Sequence, residues 1–159
     1  MSFCEKGSVS IGPGMIVTLL VAAIMIAISA EYFNEFMNDA SMSRARAGAN
    51  KIASTALIEY SSASPGSDGI RLNVDIPVTV KKIVFGPLSQ NRERNIYFIE
   101  FADGSNESYI TEVKFASYDT VSGKYADEPF ILYPGRHVIT IKIEMVDGMP
   151  MAILHGDKP

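Results

Sequence analysis

The sequence predicts an α+β protein: a long N-terminal α-helix, apolar and then amphipathic, packed on a small antiparallel β-sheet or sandwich head domain. Three observations point there. Ser8–Ala30 contains no charged residue. Beyond Ala30 the apolar residues recur at steps of three and four, the spacing that lines one face of a helix. After residue 66 short runs alternate apolar with polar residues and are divided by turn-forming residues, the pattern of half-buried strands.

The 159 residues suffice for an anchor and one domain. Residues 1–7 read as a leader, 8–60 as the helix and 61–159 as the β domain. Gly12-Pro13-Gly14 punctuates the start of the apolar stretch, and proline is tolerated in a first helical turn, where its missing N–H costs nothing. The helix therefore begins at Pro13–Met15. Nothing ends it until Ser61-Ser62-Ala63-Ser64-Pro65-Gly66, and Gly48 is its one weak point, costing about 1 kcal/mol. The 23 uncharged residues of Ser8–Ala30 would extend ~34 Å as a helix, enough for the ~30 Å hydrocarbon core of a bilayer. Its apolar part, Met15–Ala30, exceeds the usual ~7–15 residues of a cleavable h-region, although A-I-S-A at its end resembles a small-residue cleavage site. The few flanking basic residues favour an N-inside, C-outside orientation. The later apolar stripe (Phe33, Phe36, Met37, Ala40, Ala45, Ala49, Ile52, Ala53, Ala56, Leu57, Tyr60) should pack on the chain beyond residue 66.

That remainder contains seven expected strands: Ile70–Ile76, Val78–Phe85, Ile96–Phe101, Tyr109–Phe115, Phe130–Tyr133, Val138–Val146 and Pro150–Leu154. Gly86-Pro87, Ala102-Asp103-Gly104, Ser122-Gly123, Pro134-Gly135 and Asp147-Gly148 supply the turns. The clearest hairpin turns at Asp147-Gly148, because Asp-Gly readily adopts the positive φ of a tight turn. Tyr97 and Phe98, being consecutive, should face opposite sides of their strand.

A net charge of −4 without a basic tract gives nucleic-acid binding no electrostatic support. The one cysteine, Cys4, lies in the leader, so no disulfide can form in the β domain. His137 and His155 lack the spacing and cysteine partners of a zinc site. Neither a phosphate-binding loop nor a dinucleotide fingerprint nor a G-x-S-x-G nucleophile motif occurs, and the acidic residues show no convergent pair. The expectation is a protein without catalytic residues, metal or cofactor.

Glu5-Lys6-Gly7, followed by Ser8-Val9-Ser10-Ile11-Gly12 and an unbroken apolar helix, resembles archaeal type IV pilin-like proteins with class III signal peptides, the superfamily of pilins and archaellins. The resemblance covers about the first 30 residues. It implies cleavage of the leader between Gly7 and Ser8 by a prepilin peptidase on the cytoplasmic side, with the apolar helix retained. The precursor would be a single-pass membrane protein; the mature subunit would join a homo-oligomeric surface filament. Further implied partners are a pilus assembly ATPase and its membrane platform, with the lipid bilayer as solvent before assembly. Adhesion to surfaces or other cells would be an added role of such a filament. The alternative is a permanently anchored binding module, such as an archaellum stator-like protein.

Two further features bear on such a role. Glu31, Glu35 and Asp39 form an acidic i, i+4 series just past the apolar stretch, followed by Arg44, Arg46 and Lys51. They read either as intersubunit charge pairs or as a solvated helix face. Asn106-Glu107-Ser108 is an N-x-[ST] sequon in a polar loop expected at Asp103–Ser108, a candidate N-glycosylation site at Asn106.

Overall fold

In the computed structural model, residues 12–62, 68–87, 94–119, 124–126 and 128–157 are described. The long helix, α1, spans Pro13–Ser62. Nine strands follow among the described residues: β1 (Ile70–Ile76), β2 (Val80–Phe85), β3 (Ile96–Phe101), β4 (Asn106–Ile110), β5 (Phe115–Asp119), β6 (Lys124–Ala126), β7 (Phe130–Leu132), β8 (Gly135–Val146) and β9 (Met149–Asp157). The described residues fall into two compact units divided between Asn38 and Asp39, so the C-terminal half of α1 belongs with the strands.

In the first unit α1 is exposed on every side. Its carbonyl ladder starts at Gly12, whose oxygen accepts from Met15 N at 2.9 Å. The two hydroxyls of the apolar stretch are satisfied within the helix. Thr18 Oγ1 donates to Gly14 O at 2.9 Å and Ser29 Oγ to Met25 O at 2.7 Å, which removes the cost of carrying them through an apolar solvent. Phe33, Phe36 and Met37 belong by spacing to the stripe expected to pack on the strands. They are instead 63 %, 68 % and 50 % exposed. The buried stripe starts later, at Ala45, and runs through Ala49, Ile52, Ala53 and Ala56.

The second unit holds two sheets. The five-stranded one has the order β1-β8-β9-β5-β6, the four-stranded one β4-β3-β2-β7. The buried stripe of α1 and one face of each sheet share a single core, centred on Ile52, Phe85, Ile99, Phe101, Phe115, Ile139, Ile141 and Leu154. Small residues seat the helix. A Cβ placed on Gly48 would lie 3.3 Å from Val74 Cγ1 and 3.7 Å from Ile76 Cδ1. The glycine that reads as a weak point in the sequence is thus where α1 approaches β1 closely.

The strand pattern is largely legible in the sequence. Ile70–Ile76 and Ile96–Phe101 have the expected bounds. Tyr97 is buried and Phe98 half-buried, on opposite sides of β3. The hairpin of β8 and β9 turns at Asp147 (φ 52°) and Gly148 (φ 77°), with Val146 opposite Met149. Tyr109–Phe115 is not one strand. Ile110 ends β4, Thr111 N donates to Asn95 O at 2.7 Å, and Phe115 opens β5 in the other sheet. The segment is therefore a crossing between sheets, which alternation alone does not distinguish from a continuous strand. β6 has no counterpart among the expected strands. Nor does the expected antiparallel arrangement include the parallel pairing of β5 with β9.

A bulge in β2 explains one local charge arrangement. The register with β3 shifts between Val80 and Lys82, so two consecutive lysines reach the same carboxylate, Lys82 Nζ at 3.2 Å from Glu100 Oε2 and Lys81 Nζ on Oε1. Both hold the Glu100 carboxyl below its ordinary range, Lys81 more strongly.

Candidate functional site

Two surfaces contain most of the residues singled out from sequence. The first is the N-terminal part of α1. Met15, Ile16, Val17, Leu19, Leu20, Val21, Ile24, Met25, Ile26 and Ile28 are between 47 % and 70 % exposed, and none of the helix's apolar window is buried. This part of α1 is long and apolar enough to cross a membrane. Burying a large apolar side chain stabilises by roughly 1.5–3 kcal/mol. These ten are already partly covered, so together they represent on the order of 10–15 kcal/mol of unmet apolar surface. Tyr32, Phe33 and Phe36 follow directly, alongside the exposed Glu31, Glu35 and Asp39. Aromatic rings beside charges at the end of an apolar span match a membrane–water interface.

The second is the junction between α1 and the edge strand β4. Glu107 and Tyr109 alternate with exposed Asn106, Ser108 and Ile110, so they share the face turned to α1. Arg46 Nε donates to Glu107 Oε2 at 2.9 Å and Nη2 to Oε1 at 2.7 Å, a bidentate fork, while the Tyr109 hydroxyl donates to Oε2 at 2.7 Å. The Arg46 guanidinium also lies 5.8 Å from the Phe101 ring centroid. The fork from Arg46, then the Tyr109 hydroxyl, holds the Glu107 carboxyl below its ordinary range. The same contact pushes the Tyr109 phenol up, and burial does so for Tyr97.

Behind this fork stands a ladder of rings. Tyr109 is directly opposite Tyr97, and Tyr97 opposite Phe85. The first pair stacks at 4.8 Å between centroids and the second at 5.3 Å; Phe85 then meets Phe115 edge-to-face at 5.2 Å. Such pairs each add about 0.5–1.5 kcal/mol beyond their buried area.

The sequence-selected residues are therefore divided. Glu31, Glu35, Asp39 and Arg44 lie on exposed α1 surface, whereas Arg46 is committed to Glu107 within the chain. Asn106 does not lie in a loop: the turn ends at Ser105, and Asn106 opens β4, exposed and opposite Glu100. Its sequon places Asn106 and Ser108 on the open face and Glu107 in the fork. His137 Nε2 lies 2.7 Å from Tyr133 O, and His155 packs edge-to-face on Tyr118 at 5.7 Å. Gly7 and Ser8 lie outside the described residues. Sequence reading missed Glu107 and Tyr109 as partners of the helix. The signal was present, since the two stand two apart on one strand and so share a face.

No family model matches the chain, no curated protein matches it, and no solved structure matches it.

Proposed function

We propose that the chain is a structural subunit, major or minor, of a type IV pilin-like surface filament, made as a single-pass membrane precursor. One observation carries the reading. A helix exposed and apolar on all sides over Met15–Ala30 continues without a break into the small-residue stripe that seats it on the strands. Lipid satisfies such a surface before assembly. Identical helices from other subunits satisfy it afterwards, in head-to-tail contacts that do not close into a ring. The leader resemblance at Lys6-Gly7 supports processing by a prepilin peptidase, and extraction from lipid needs an assembly ATPase and platform. Exposed Glu31, Glu35, Asp39 and Arg44 are then free to set register between neighbours.

The test is the N-terminus of the native protein together with its presence in sheared filaments. A chain beginning at Ser8 and recovered in filaments supports the proposal. A chain beginning at Met1 and confined to membranes refutes it and favours the anchored binding module.

A further inference from the structure

Away from α1, the outer face of the five-stranded sheet carries a cleft of about 370 Å³ lined by Asp68, Tyr118, Thr140, Lys142, Glu144, Ile153 and His155. Its origin is the strand register. On β8, Thr140, Lys142 and Glu144 alternate with core-facing Ile139, Ile141 and Ile143, and so point outward. Across the hairpin, Thr140 is opposite His155 and Lys142 opposite Ile153. Tyr118 of β5 closes the third side, its ring edge-to-face with His155 at 89°.

The chemistry of the lining is mixed in a specific way. Ile153, only 3 % exposed, gives an apolar floor continuous with Ala116, Val146 and Met151. Tyr118, 37 % exposed, offers an aromatic wall at the rim. Around them, among the described residues, the side chains of Asp68, Thr140, Lys142 and Glu144 form no hydrogen bond or ion pair. Gly69 keeps Lys142 in place: at φ +80° its missing Cβ leaves the room that the lysine stem occupies.

An apolar ligand would strand an ammonium, two carboxylates and a hydroxyl. A phosphate or sulfate would meet Lys142 but also Asp68 and Glu144, and a simple cation would meet the reverse. A hydroxyl both donates and accepts, so a ring bearing several hydroxyls satisfies groups of both signs, while its C–H face covers Ile153 and Tyr118. We propose that this cleft binds a pyranose saccharide. Tyr118 packs on the sugar's apolar face, Asp68 and Glu144 accept from hydroxyls, and Lys142 and Thr140 donate to them. The site belongs wholly to the second unit and depends on neither membrane insertion nor assembly, so it stands or falls apart from the filament reading.

The full chain is prepared in a polyoxyethylene detergent, which has no sugar head group. Saturation-transfer NMR is then run with glucose, galactose, mannose, N-acetylglucosamine, maltotriose and chitotriose. Binding of at least one, with Kd on the order of 1 mM, is expected. Tyr118→Ala should weaken it tenfold or more and Lys142→Ala about threefold, while Asn73→Ala, on β1 outside the cleft, leaves it unchanged. Near-UV circular dichroism checks that each variant is folded. Three results overturn the proposal: no probe binding at 20 mM, Tyr118→Ala binding like the parent, or inorganic phosphate competing for the cleft where sugars do not.

Discussion

Replacing Gly48 tests how α1 is seated. Two terms oppose each other in Gly48→Ala. Helix propensity improves by about 1 kcal/mol, while the new methyl meets Val74 Cγ1 at 3.3 Å, which must yield by a few tenths of an ångström. The sum is a change within about 1 kcal/mol of zero. Gly48→Leu gains the same propensity but must fit three more carbons between α1 and β1, where Val74, Ile76 and Asp75 O already lie within 4 Å. Overpacking of this kind costs about 1–3 kcal/mol; less the propensity gain of about 1 kcal/mol, the net loss is up to about 2 kcal/mol. At about 4 °C per kcal/mol for a unit of this size the midpoint should fall by up to ~8 °C. The chain has 7 tyrosines and no tryptophan, so thermal melts are followed by tyrosine near-UV circular dichroism in detergent. Val74→Ala should recover part of the loss in the leucine background, because it removes the atom in contact. If Gly48→Leu melts above the parent, as helix propensity alone would make it, the helix does not rest on β1 at this position and the account of the small-residue seat is wrong.

Four other outcomes are expected. Because Glu107 has a lowered carboxyl in the folded chain, its stabilisation is complete above the unfolded carboxylate range (pH ~4.5). It is lost as pH falls through the folded value; Glu107→Gln should flatten this acid limb in denaturant titrations, and an unchanged limb would discount the fork with Arg46. Tyr109 and Tyr97 are raised, so they act in the other direction: stability holds below pH ~10 and declines above it, readable from tyrosinate absorbance against unfolding. Gly148→Ala, forced to φ 77°, should cost about 1–2 kcal/mol in urea unfolding, and an unaffected midpoint would mean that the hairpin turn does not constrain the sheet. Ala23→Arg, in the middle of the apolar stretch, should cost about 2.5–3.5 kcal/mol in a membrane-insertion assay; insertion equal to the parent would argue against α1 as a spanning helix.

The elements legible in the sequence are those set by local forces. The helix bounds, the Asp147-Gly148 turn and strands such as Ile70–Ile76 come from propensity, turn chemistry and period-two patterning within a few residues. The sheet crossover between Tyr109 and Phe115 does not, because a strand that leaves one sheet for another keeps its alternation. The positions Phe33, Phe36 and Met37 show the reverse error: helical spacing identified an apolar face, but only tertiary contact decides where burial begins, and it begins at Ala45. Gly48 reads as a flaw until Val74 is placed beside it. The Arg46–Glu107 fork joins positions 61 apart in the chain, a pairing that no local rule selects. The cleft above Ile153 likewise comes from register across β5, β9 and β8, and its residues share no motif.

The place of β9 in its sheet carries a consequence for biogenesis. It lies at the centre, between β8 and β5, and it is the last of the described strands to be made. Until residues 149–157 have been synthesised, β1 with β8 and β5 with β6 are separate ribbons with raw edges on their future shared seam. Closing that seam needs the parallel pairing of Phe115 with Ala152, a contact of long sequence separation and hence slow to form. By then α1, made well before the strands, has had time to reach a bilayer. On the membrane-precursor reading proposed above, this order of synthesis would let α1 engage lipid before the strands consolidate, and any truncation within β9 splits the sheet through its middle instead of trimming its rim.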